Sequence, residues 1–155
     1  MIQRIQTLYL LAVVILSVIT LFSSQAGFVG TADATQYILN YKGIFEVQTA
    51  GIEFIKNVWS LTALCVLIPI IALVSIFLYK KRIMQIRLSI INIVLLAGYY
   101  ALLFIYLWQT GNALQADWYL EIVTAFPLVN IILTVLAMRA IGKDEALIKS
   151  LNRLR

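Results

Sequence analysis

The chain has 155 residues, of which 63% are hydrophobic and only 12% are charged, and its net charge is +5. An average soluble domain is about 45–50% apolar and about 25% charged, so this composition excludes an ordinary soluble protein and predicts an integral membrane protein. The single cysteine excludes an intramolecular disulfide, and the sequence contains no histidine, the commonest metal and haem ligand. We therefore expect no cofactor and no metal site.

The first candidate membrane span lies at the start of the chain. Residues 5–32 carry no charge, and a run of 18 or more apolar residues can cross a bilayer core of roughly 30 Å. We therefore predict a transmembrane helix over residues 5–26. A cleaved signal peptide, with Ser24-Gln25-Ala26 as its cleavage site, is the alternative. The apolar region is longer than the about 7–15 residues usual in such peptides, which favours an uncleaved span.

Residues 27–57 form the longest polar segment of the chain, and glycines at 27, 30, 43 and 51 interrupt it. Residues 36–41 and 44–48 are rich in strand-forming side chains, and a turn over 40–43 would join them into a β-hairpin. An isolated hairpin is only marginally stable in water. An irregular loop lying on the membrane surface therefore remains the alternative.

A basic segment, residues 80–87, separates two further predicted spans, residues 58–79 and 88–108. It contains four positive charges and no negative one. Because Lys and Arg near the ends of spans resist translocation, this short loop is expected on the cytoplasmic side. Pro69 lies near the middle of the second span and predicts a kink. Asn92 places a polar side chain inside the third.

The fourth predicted span covers residues 119–138, with Pro127 near its centre and Asn130 beside it. Together with Pro69 and Asn92, these residues are predicted to form helix kinks or a polar core. A hydrogen bond between the two asparagines, or from one of them to a kinked backbone, is the favoured interpretation. Paired helix breaks can also mark a transporter site between helices, and this is the alternative.

The C-terminal tail, residues 139–155, differs from the spans because basic residues flank a stripe of apolar ones. The stripe has helical spacing, so we predict an amphipathic helix that lies along the membrane surface or docks onto a partner. The residues expected to dock a partner are Arg4, Arg139, Lys143, Leu147, Ile148, Leu151 and Leu154.

The charges are distributed unevenly between the two sides of the predicted membrane topology. Ten of the twelve Lys and Arg residues fall in the N-terminus, residues 80–87 and the tail, whereas five of the seven acidic residues fall in the other connections. Both termini are therefore expected in the cytoplasm, and membrane topology accounts for the positive charge without nucleic-acid binding. The predicted fold is all-α. Residues 1–138 form an antiparallel bundle of four transmembrane helices with a small periplasmic loop, and residues 139–155 form a cytoplasmic helix.

The two ends of the chain are its most distinctive segments. Residues 1–10 read MIQRIQTLYL, and residues 139–155 read RAIGKDEALIKSLNRLR. With the length and layout of the chain, they resemble a family of short four-span inner-membrane proteins of Bacteroidetes, catalogued as a domain of unknown function. The resemblance implies a bacterial inner membrane, so that the outer side is the periplasm. It implies no activity, ligand or catalytic residue.

The leading functional hypothesis is a non-enzymatic accessory or assembly subunit of a larger inner-membrane complex, docked partly through its cytoplasmic tail. Its expected partners are the lipid bilayer and a larger integral membrane protein. A small oligomeric transporter or channel with a site at the kinked helices is the alternative, although no ionisable residue lies deep in a span, which counts against proton coupling. An interfacial lipid enzyme that uses Glu121 or the other outer acids is the weakest hypothesis.

Overall fold

The computed structural model describes residues 3–31, 35–48, 51–79 and 81–153. Over these residues the chain forms long helices and short β-strands, with four strands between the first and second helices and one between the third and fourth. The helices are α1 (Gln3–Phe22), α2 (Trp59–Phe77), α3 (Arg82–Leu114) and α4 (Phe126–Arg153), with a 3₁₀ turn at Ile122–Ala125. The strands are β1 (Ala26–Gly30), β2 (Gln36–Asn40), β3 (Gly43–Gln48), β4 (Gly51–Lys56) and β5 (Ala116–Leu120).

The helices pack side by side, and each contacts two others in the cyclic order α1, α2, α3, α4. Consecutive helices run in opposite directions. Asn130, near the start of α4, donates to Ser17, near the end of α1, at 3.0 Å, whereas Gln6 near the start of α1 donates to Asp144 far along α4. We call the end at which α1 and α3 finish the sheet end, because the strands follow there, and the opposite end the basic end.

Within the described part of the chain, four helical stretches are long and apolar enough to cross a membrane: Ile5–Phe22, Trp59–Phe77, Arg82–Leu114 and Ile122–Asp144. This agrees with the membrane protein that the composition predicts. The outward surfaces of these helices carry many exposed large apolar side chains. Contact of these side chains with water is unfavourable, whereas contact with the acyl chains of a bilayer is not.

The strands form one antiparallel sheet in the order β4-β3-β2-β1-β5. The predicted hairpin is present: β2 pairs with β3 so that Asn40 lies opposite Gly43 across the turn. The sheet extends beyond it on both sides. β5, which comes from the connection between α3 and α4, pairs with β1 over its whole length. This long-range pairing satisfies the backbone polar groups of two segments that lie about ninety residues apart.

The sheet corrects the prediction of an all-α fold. The fourth span is predicted to start at residue 119, after a connection from the third. Residues 118 and 119 lie instead in the middle of β5, where Trp118 pairs with Phe28 and Tyr119 pairs with Gly27. The fold is therefore a set of long helices capped at one end by an antiparallel sheet.

The helix boundaries also differ from the predicted spans. α3 begins at Arg82, inside the segment expected to be a loop, and its 33 residues make it about 50 Å long at 1.5 Å per residue. This exceeds the roughly 30 Å hydrocarbon core, so its last turns extend to contact β5. α4 runs from Phe126 to Arg153 without a break, so the tail continues the fourth helix and is not a separate element.

A single apolar core joins the helices to the sheet. The inner face of the sheet contributes Ala26, Phe28, Leu39 and Ile44, all fully buried, and the helices contribute residues that include Leu103 and Leu107. Because side chains alternate between the two faces of a strand, burying these residues fixes which side chains point away from the helices. The remaining strand residues form the outer face of the sheet.

Candidate functional site

The outer face of the sheet is apolar and largely exposed. The register aligns its residues in two rows across the strands. We call the apolar members of these rows the outer-face patch: Val29, Ile38, Phe45, Val47, Ile52, Phe54 and Tyr119. Ile52 is 71% exposed. An antiparallel sheet packed on a core through one face commonly has a polar opposite face, so an apolar one indicates a surface that another molecule covers.

Two close contacts hold the outer-face patch in shape. The Tyr119 ring lies directly over Gly27, where a β-carbon would come within 2.3 Å of it. The rings of Phe45 and Phe54, on neighbouring strands, meet edge to face with centroids 5.6 Å apart. Such aromatic pairs stabilise a sheet beyond the area they bury. These contacts place the three rings of the patch against neighbouring strands.

β4 is the free edge of the sheet beside this patch. All six of its residues are exposed, and only β3 pairs with it among the described strands. An edge strand leaves a row of backbone N–H and C=O groups available to an added strand. The patch and the edge together offer both an apolar surface and backbone hydrogen bonds.

Of the two prolines predicted to kink helices, one begins a helix and the other lies inside one. Pro127 is the second residue of α4, in the first turn, where the missing N–H removes no helical hydrogen bond. It begins the helix and does not kink its middle. Pro69 lies inside α2 and is buried, so the carbonyl one turn before it receives no helical N–H. Asn130 donates to Ser17, and the Asn92 amide has no hydrogen-bond partner among the described residues.

The helical interior contains a small cavity of about 10 Å³ near these residues, lined by Ser17, Thr20, Cys65, Ile68, Leu96, Tyr99, Pro127 and Asn130. The cavity brings Pro127 and Asn130 together but includes neither Pro69 nor Asn92. Its volume is about that of one water-sized probe, far below the 300–1,000 Å³ of ordinary small-molecule sites. Its lining therefore packs the helices and leaves no room for a solute.

The residues predicted to dock a partner lie at the basic end or beyond the described part. Arg139 and Lys143 are exposed on α4. Arg4 lies in α1, and the backbone of α4 passes through Leu147, Ile148 and Leu151. Leu154 lies outside the described residues. Asp144 is internal to α4, 7% exposed, and accepts the hydrogen bond from Gln6.

The outer acids do not gather into one site. Glu46 and Glu53 lie directly opposite each other on β3 and β4, while Asp117 is in β5 and Glu121 follows it at the other side of the sheet. Across the described residues, no group of three or more His, Cys, Asp and Glu side chains could hold a metal ion. Apart from the Glu46–Glu53 pair, the described outer acids therefore lie at different places on the sheet.

Sequence reasoning did not identify the outer-face patch. One signal was present: β3 and β4 carry apolar residues at both odd and even positions, so both faces of any sheet they form must be partly apolar. Which face would be buried depends on the helices beneath the sheet. That could not be deduced without the pairing of β1 with β5.

Comparison with known proteins gives a family and no activity. No curated protein matches the chain. A family model described as Domain of unknown function (DUF4293) matches residues 2–154, which is nearly the whole chain. The resemblance noted in the two ends of the sequence, to an uncharacterised family, is thereby supported over the full length, and the chain belongs to the DUF4293 family.

Proposed function

We propose that this protein is a non-enzymatic accessory or assembly subunit of a larger inner-membrane complex, and that the outer-face patch is its main docking surface. The observation that carries this proposal is the exposure of an apolar sheet face, with Ile52 and Phe54 at its free edge. Covering such a face removes apolar area from water and is favourable by about 25 cal/mol per Å².

The proposed orientation places the sheet end in the periplasm and the basic end in the cytoplasm. The charge asymmetry of the sequence supports it, because Lys and Arg near span ends are retained on the cytoplasmic side. The partner of the patch is then the periplasmic part of a larger integral membrane protein, with an apolar surface and an extended segment that can pair with β4. The C-terminal part of α4 would provide a second contact on the cytoplasmic side.

A transporter or channel ranks below this role. Buried polar atoms of Asn92, Tyr99 and Asn130 have no partner among the described residues, and this favours a polar path through the helices. The interior cavity lined by Tyr99 and Asn130, at about 10 Å³, does not support passage of a solute through a single copy of the chain. A path formed between several copies would be required.

Affinity purification of the tagged, full-length protein from native membranes, followed by mass spectrometry, tests the accessory role. The informative variant is Ile52→Lys, because it places a charge in the patch at a side chain that is 71% exposed and so leaves the core unchanged. Asn112→Lys is the control, since it adds the same charge at an exposed position of α3 at the sheet end, outside the patch.

We expect one larger membrane protein to be recovered stoichiometrically with the wild type and with Asn112→Lys, and to be lost with Ile52→Lys. The physical reason is that a lysine in a dry apolar interface must be desolvated without a counter-charge. Recovery of the chain alone from wild-type membranes, or equal recovery of the partner with Ile52→Lys, would contradict the proposal.

A further inference from the structure

A second cavity lies at the basic end, away from the outer-face patch. It has a volume of about 360 Å³ and opens between the beginning of α1, the residues after α2 and the first turn of α3. Its lining includes Gln6, Leu8 and Leu11 from α1, Tyr79, and Arg82 and Gln85 from α3. It therefore combines polar side chains from both helices with two leucines from α1.

Gln85 is the most informative residue of this cavity. Its side chain is 3% exposed and lines the cavity. A buried side-chain amide is stable where its N–H groups find acceptors. Gln85 can therefore donate hydrogen bonds to a ligand in the cavity that offers acceptor oxygens.

The charge of the cavity selects an anionic ligand. Arg82 contributes a positive charge, and the described lining residues include no carboxylate. Asp144 is engaged by Gln6 and does not line the cavity. Arg82 also begins α3, where Lys81 provides no side-chain cap, so the first backbone N–H groups and the positive end of a long helix dipole face this region. An oxyanion fits this combination.

The apolar side of the cavity indicates what the anion is attached to. Leu8 and Leu11 are both exposed, and Ile15 continues the exposed apolar surface one turn further along α1. A free inorganic anion gains nothing from these side chains, whereas an acyl chain lying along α1 would cover them. Basic pockets between transmembrane helices near the membrane surface are also suited to lipid head groups.

We propose that this cavity binds an anionic phospholipid. Arg82 pairs with the phosphodiester, Gln85 donates hydrogen bonds to its oxygens, and the acyl chain follows Leu8 and Leu11. Charge-assisted hydrogen bonds from guanidinium to phosphate are strong and directional, so Arg82 should contribute more to affinity than an exposed arginine at the same membrane surface.

The test uses the purified full-length chain in mild detergent and follows its thermal unfolding as one of three probes is added: phosphatidylglycerol, phosphatidylcholine or inorganic phosphate. The variants are Arg82→Gln and Gln85→Leu. Arg87→Gln is the matched control, because it removes the same charge from an exposed position of the same helix that does not line the cavity.

Phosphatidylglycerol should raise the unfolding temperature of the wild type and of Arg87→Gln at the same lipid concentration, and Arg82→Gln should require about tenfold more lipid. Phosphatidylcholine and inorganic phosphate should act weakly. Equal losses in Arg82→Gln and Arg87→Gln, or equal effects of phosphatidylcholine and phosphatidylglycerol, would overturn the proposal. If inorganic phosphate stabilises the protein and phosphatidylglycerol does not, the assignment of a phospholipid as the ligand is wrong. If Gln85→Leu does not fold, the comparison of the two arginine variants decides.

Discussion

Gly43 shows how a single residue position determines the turn between β2 and β3. Its φ is +153°, a region that residues with a side chain rarely adopt. A β-carbon there would also lie 2.5 Å from the carbonyl oxygen of Lys56. We expect Gly43→Ala to lower the free energy of unfolding by about 1–3 kcal/mol through backbone strain, and by more through the contact with β4. Thermal unfolding in detergent measures the loss.

Gly51 supplies the control for this substitution. Its φ is +152°, but nothing lies within 4 Å of the position a β-carbon would take. Gly51→Ala therefore introduces the strain without the collision, and its unfolding temperature should fall less than that of Gly43→Ala. Equal losses in the two variants would show that β4 does not approach Gly43 as closely as described.

At the residue scale, the sequence predicted local turns better than the positions at which helices begin. The turn over 40–43 follows from local chain chemistry and is confirmed. Pro127 is predicted to kink the fourth span because it lies near the centre of that span, yet the helix begins one residue before it. The start of that helix depends on partners from α1 and α3, and a sequence pattern does not reveal them.

Tyr100 illustrates this dependence at the scale of the elements, because it connects α3 to the beginning of α4. Its hydroxyl donates to the carbonyl of Thr124 at 2.6 Å and accepts from the backbone N–H of Leu128 at 3.0 Å. We expect Tyr100→Phe to leave both backbone groups without a partner and to lower the free energy of unfolding by about 1–2 kcal/mol.

Tyr106 is the matched control for Tyr100 because it lies on the same helix. Its hydroxyl donates to the Ser60 hydroxyl at 3.4 Å, which is a long and weak hydrogen bond. Tyr106→Phe should therefore change the unfolding temperature much less than Tyr100→Phe. A larger loss in Tyr106→Phe would argue that Tyr100 does not hold the start of α4.

Asp144 makes the corresponding connection at the basic end, between α4 and the start of α1. Because it is buried and accepts from Gln6, we expect Asp144→Ala to lower the unfolding temperature. Asp144→Asn should preserve most of the stability, since an amide oxygen can accept the same hydrogen bond. Lys143→Ala, at an exposed neighbouring position, should have no effect. A drop in stability with Lys143→Ala equal to that of Asp144→Ala would contradict this role.

The elements also show why the sheet was only partly predicted. β2 and β3 are neighbours in sequence, and their alternation and turn residues suffice to identify a hairpin. β1 and β5 are short, and each pairs over its whole length with a segment about ninety residues away. Trp118 and Tyr119 suit a membrane interface as well as a strand. Only the long-range pairing decides between the two.

At the scale of the whole molecule, the sheet and the basic charges lie at opposite ends of the helices. The proposed docking surface and the proposed lipid cavity are therefore on opposite sides of the membrane, and each depends on the orientation of the chain. The composition and the lengths of the helices support membrane crossing, and the sequence alone predicted this. The side on which each end lies rests on the charge asymmetry.

Site-specific labelling tests this orientation, because the native chain has a single cysteine and it is buried. Asn112→Cys places a thiol at an exposed position of α3 at the sheet end, outside the outer-face patch, and Lys143→Cys places one at the basic end. With only the outer membrane permeabilised, a membrane-impermeant maleimide should label Asn112→Cys and leave Lys143→Cys unlabelled until the inner membrane is disrupted. The wild type, unlabelled throughout, controls for Cys65. The reverse pattern would place the basic end outside, which the energetic preference for retaining Lys and Arg in the cytoplasm opposes.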